Sequence, residues 1–146
     1  MNEGKTVMEL MAKMQETIEF ASSLKPLASL AERFEKAVEK LGEVGMHMFK
    51  LSGSEKIVNA FAFAHPFLEA AGDVTMAWFH LWRAAVASKA MENGPEKKEK
   101  AFYEGVIKSA EFFIRTILPV TRGRMEAILD NCGAAVEIDE DSFGGR

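Results

Sequence analysis

The chain has 146 residues, a net charge of −4 and a pI of about 5.5, with 48% hydrophobic and 27% charged residues. That is enough for one domain with its own core, and an acidic balance without a basic stripe speaks against nucleic acid as a partner. The single cysteine, Cys132, excludes an intrachain disulfide framework and a cysteine-based zinc site.

The N-terminus, MNEGKTVMELMAKMQ, lacks the apolar core and cleavage site of a signal peptide, so a cytoplasmic location is expected. The first helix is expected from Thr6 to Leu24, opened by the capping box Thr6-Val7-Met8-Glu9. Val7, Met11, Met14, Ile18 and Ala21 recur along it at helical spacing. The methionines suit either a core or an adaptable ligand surface.

Ser22-Ser23-Leu24-Lys25-Pro26 breaks the chain, and a second helix runs to about Leu51. Leu27, Leu30, Phe34, Ala37, Leu41, Val44, Met48 and Leu51 step by three and four without a miss, which is the narrow seam of a bundle helix. Gly42 and Gly45 each lower local helix stability by roughly 1 kcal/mol against alanine. They leave room for a neighbouring backbone or a bulky aromatic. His47 reads as a surface residue rather than a ligand.

Ser52-Gly53-Ser54-Glu55 carries a second capping box and opens a third helix, expected to run to about Met91. Its stretch from Ile57 to Ala87 is apolar on nearly every side, dense in alanine and aromatics, and suits a central buried helix. Pro66 either kinks it or, with His65, breaks it. A membrane span is opposed by Glu69, Asp73, His80 and Arg83, each costly in lipid. With His65 these residues form one narrow polar stripe. Carboxylates and histidines on one face suit a metal, but no Glu-x-x-His pair is present, and a solvated or ion-paired stripe is the plainer expectation.

Glu92-Asn93-Gly94-Pro95 is the clearest turn in the chain, with Asn-Gly closing one helix and proline opening the next. The fourth helix is expected from Pro95 to Asn131, with Phe102, Val106, Ala110, Phe113, Ile117 and Val120 as its apolar stripe. Counting outward from Asn93 puts Pro66 and Pro119 at nearly the same height, so that both helices bend together. It also sets Arg115 against Glu69 and Asp73. Asn131-Cys132-Gly133 reads as a helix exit. The expected fold is all-α: an antiparallel up-and-down four-helix bundle over residues 1–133, with helices 3 and 4 long and proline-kinked, and an acidic, mobile tail over residues 134–146.

These segments resemble the helical domain at the C-terminal end of a subgroup of bacterial acyl-CoA dehydrogenases. The likeness is clearest in Ala64-His65-Pro66-Phe67-Leu68-Glu69-Ala70-Ala71-Gly72-Asp73-Val74, Ala77-Trp78 and Leu81-Trp82-Arg83-Ala84. It continues through Ala101-Phe102-Tyr103-Glu104-Gly105, Ala110-Glu111-Phe112-Phe113 and Ile117-Leu118-Pro119, and includes Glu3-Gly4-Lys5 and Asp141-Ser142-Phe143. The resemblance implies a non-catalytic accessory domain of an FAD-dependent oxidoreductase of fatty acid metabolism. Its partners would be the dehydrogenase core domains or another copy of itself. No residue here matches the family's catalytic glutamate or flavin contacts, so no catalytic, cofactor or metal residue is assigned. Two other functions stay open: a free-standing bundle that binds a small acyl-type ligand or self-associates, and an enzyme built on His65, Glu69, Asp73 and His80.

Overall fold

The structure is a computed structural model that describes residues 5–144. Four long helices carry it: α1 (Lys5–Ser23), α2 (Ala28–Ser52), α4 (Ala64–Glu92) and α5 (Lys97–Asp130). Two short ones, α3 (Ile57–Ala62) and α6 (Ala134–Glu137), and a 3-10 turn at Glu140–Phe143 complete the described residues, among which there is no strand. The expected features at Glu3-Gly4 and at the last two residues of the tail lie outside the described residues.

The unbroken heptad pattern of α2 makes it the spine of the core. Leu27, Leu30, Phe34, Ala37, Val44 and Leu51 are buried, and Leu41 and Met48 pack against them half-buried. α2 touches α1, α4 and α5, and α1 also touches α4. From α1 come Met14, Ile18 and Ala21, which fixes its methionine stripe as core, while Val7 at its start is exposed. Gly45 does admit a bulky aromatic: a Cβ there would stand 3.9 Å from the Phe67 ring. Thr6 lies inside α1 and is not its cap.

The long third helix expected over residues 54–91 is two helices. The helix is interrupted at Phe63, which closes α3 and caps α4. Pro66 therefore stands in the first turn of α4, where a missing N–H costs nothing. The Ser52–Glu55 capping box does not form either: α3 starts two residues later, and Ser54 Oγ donates to Leu51 O instead. A true capping box occurs instead at Glu96 and Glu99, where α5 starts two residues after the expected Pro95.

α4 and α5 run antiparallel on either side of the Gly94–Glu96 link. Gly94 takes φ of +65°, which glycine adopts without strain. Asn131 closes α5 in the left-handed conformation, a role asparagine tolerates. The register of this pair differs from the count made on sequence. Asp73 accepts a hydrogen bond from Thr121 at 2.7 Å, and the residue midway between them is 97, not 93. Partner positions are thus displaced by about two turns. Pro66 and Pro119 do not share a height, and Arg115 lies away from Asp73.

α4 differs from the buried rod its composition suggested. Its buried side is lined mainly by small residues, among them Ala70, Val74, Ala77, Ala84, Ala85 and Ser88, with Leu81 the one large side chain. The stripe of α5 is likewise rotated. Ala110, Ile114, Leu118, Thr121, Met125 and Ile128 are buried, while Phe102 and Val120 face outward. α6 packs on α3, so the start of the acidic segment is folded back.

Candidate functional site: the outer face of α4 and α5

The polar stripe of α4 is tied down by α5. Arg124 Nη1 donates to Asp73 Oδ2 at 3.0 Å, and its Nε lies 3.4 Å from Glu69 Oε2. Thr121 adds its hydroxyl to the same Asp73 oxygen. The expected neutralising arginine, Arg115, instead pairs with Glu111 one turn back on its own helix at 3.2 Å. The count pivoted on Asn93, whereas the contacts centre the helix pair near residue 97.

His65 is largely exposed, with Nε2 3.7 Å from Glu69 Oε1. His80 stacks on Phe113 at 4.9 Å between ring centroids. Its pKa is lowered, first by burial and then by the neighbouring Arg83 charge. The structure thus joins three of the four candidate acid–base residues in one surface network, His65–Glu69–Arg124–Asp73, and sets His80 apart against Phe113. No group of three metal-ligating side chains occurs among the described residues. His47, expected at the surface, is half-buried, and its Nε2 has no hydrogen-bond partner among them. Trp78 is pinned inward, where its indole N–H donates to Thr17 Oγ1 at 2.7 Å.

What remains for the outside of this helix pair is apolar. On α4, Leu68, Met76, Phe79, Trp82 and Val86 are exposed, Leu68 by 69% and Trp82 by 50%. On α5, Phe102, Phe112 and Val120 are each more than 60% exposed. The charges of α5 lie mainly on another flank and pair among themselves, as Lys108–Glu111, Arg115–Glu111 and Arg122–Glu126 do, with Lys108 also reaching the rim of this face. An outer face with this many large apolar groups is unusual for a lone soluble domain and marks an interaction surface. Two open depressions lie along it. One, of about 240 Å³, lies between Trp82, Val86, Phe102 and Tyr103; the other, of about 380 Å³, lies beside His80, Ser109 and Phe112. Sequence reasoning missed this face because it assigned all apolar residues of α4 to the core. The signal was there: a helix apolar all round has two stripes, and one core can bury only one.

Residues 10–139 match the family described as Acetyl-CoA dehydrogenase C-terminal like. The chain belongs to that family. A 79-residue segment is also 38% identical to the broad-specificity linear acyl-CoA dehydrogenase FadE5 of Mycobacterium tuberculosis. The match takes in 53% of this chain but only 13% of that relative. In this acetyl-CoA dehydrogenase C-terminal-like domain, no helix among the described residues is long and apolar enough to cross a membrane.

Proposed function

We propose that the chain is a non-catalytic accessory domain of an acyl-CoA dehydrogenase, an antiparallel up-and-down bundle over residues 1–133 with an acidic tail. It packs against the dehydrogenase core or at the enzyme's subunit interface through the outer face of α4 and α5. The observation that carries this is the apolar face itself, with eight large side chains in water on the helix pair that also holds the strongest motif likeness. The small share of the relative covered by the match supports it, since most of such an enzyme lies outside a domain of this kind. The flavin and the catalytic carboxylate are assigned to the core, in a cytoplasmic bacterial enzyme of fatty acid metabolism. No step of the chemistry is assigned to residues of this chain.

An acyl-type ligand finds less support. The two depressions, of about 240 and 380 Å³, both open broadly to solvent, whereas ligand pockets enclose most of what they bind.

The test is co-expression of this chain with the acyl-CoA dehydrogenase core encoded nearest to it, read by size-exclusion chromatography. Co-elution is expected, together with its loss in the Phe79→Glu/Phe112→Glu variant. Independent elution of the unaltered chain and the core would overturn the assignment.

A further inference from the structure

The exposed side of α4 is a second seam, separate from the one that faces the core. Leu68, Gly72, Thr75, Phe79, Trp82 and Val86 step by four, three, four, three and four. At about 100° per residue they fall within a sector of about 80°. Thr75 belongs to the apolar set, because its hydroxyl is turned inward to Ala71 O at 2.8 Å. A strict three-and-four seam is what one helix presents to another laid along it.

The seam is also a palindrome. Its members are equidistant from Ala77 in pairs: Leu68 with Val86, Gly72 with Trp82, Thr75 with Phe79. An antiparallel copy of the same helix, related by a two-fold axis at Ala77, would set the largest side chain of the seam, Trp82, at the same height as the partner's Gly72 and beside it. A side chain at Gly72 would meet nothing within 4 Å in this chain. A mid-helix glycine costs about 1 kcal/mol against alanine, and nothing inside the domain offsets it. A tryptophan arriving from outside would.

The charges agree with this pairing. Arg83 is exposed and has no acidic partner among the described residues. Arg83 and Glu69 lie on the same flank of the seam, and in a two-fold antiparallel pair each flank meets its own copy. The position opposite Arg83 is 71, two residues or ~3 Å along the axis from Glu69. Each copy would therefore offer Arg83 to the other's Glu69, giving two symmetric ion pairs at the ends of an apolar strip.

We propose that the outer face of α4 is a homodimer interface, in which α4 pairs antiparallel with α4 of a second copy and Trp82 packs in the same layer as the partner's Gly72, in the space its missing side chain leaves. This deepens the docking role proposed above by naming a second copy of the domain as the occupant.

The test is sedimentation equilibrium of the purified chain with circular dichroism as the check on folding. A concentration-dependent dimer is expected. Gly72→Leu should weaken it on the order of tenfold or more while leaving the helical signal and melting temperature undiminished. Arg83→Glu should weaken it in the same direction, and added salt should loosen the unaltered dimer. Phe49→Ser, which alters a 74% exposed apolar side chain on α2, should leave it unchanged. A chain still monomeric at about 0.5 mM, a regime that detects even weak pairing, would overturn the proposal. So would a dimer indifferent to Gly72→Leu. Either result leaves the co-elution test with the dehydrogenase core to decide the broader role separately.

Discussion

The two sides of α4 invert the usual arrangement. Its inner side is built from Ala70, Ala77, Ala84, Ala85 and Ser88, and its outer side from Leu68, Phe79, Trp82 and Val86. Small residues inside let α1, α2 and α5 approach the α4 backbone closely, and close packing is where core stability arises. Large residues outside contribute less to the isolated fold, since water still covers much of them. The contrast separates two jobs on one helix: the alanine side builds the domain, and the aromatic side is kept for a surface beyond it.

Neighbouring residues on those two sides give the sharpest test. Leu81→Ala removes a fully buried side chain and should cost roughly 2–5 kcal/mol in a urea melt. Trp82→Ala, the next residue, is half exposed and should cost clearly less, about 1 kcal/mol, in dilute solution, where the chain is unpaired. Equal losses at both positions would erase the distinction between the two sides.

The polar contacts that orient α4 should come next. Arg124→Met leaves Glu69 and Asp73 facing each other one turn apart. It should cost about 1–2 kcal/mol, moderated by the partial exposure of all three groups. Arg115→Met should cost less than about 0.5 kcal/mol, because its pair with Glu111 is a surface pair within one helix. Thr17→Val deprives the Trp78 indole of its acceptor and should cost about 1 kcal/mol, with a shift in tryptophan emission.

The smallest expected effect concerns pH. His80 has a folded-state pKa lowered from 6.5, so the unfolded chain takes up its proton first as pH falls. Stability should be complete above pH 6.5, decline as pH falls below it, and stop declining on this account below the lowered value. His80→Gln should flatten that part of a stability-against-pH profile. A slope of the opposite sign, or one unaltered by the substitution, would remove His80 from the account.

Much of the secondary structure was legible because its signals are local. The heptad run of α2, the Asn93-Gly94-Pro95 turn and the exit at Asn131 each reside in a few adjacent residues and act through backbone geometry. The break at Phe63 was less legible, since proline at 66 is compatible with both a kink and a first turn. The docking face was half legible. Excess apolar character on α4 showed in the sequence, but its direction did not.

By itself the sequence determined that this is a helical chain, where its long helices end and where three of the four begin, and to which family it belongs. Tertiary structure alone decided which stripe of α4 and α5 faces inward and which arginine meets Asp73. The physical reason is that periodicity records the spacing of apolar residues along one helix. The rotation of that helix about its axis, and its slide along a neighbour, are set by how the two surfaces fit. Here the fit placed alanines against the core, turned Trp78 inward and left Trp82 half in water.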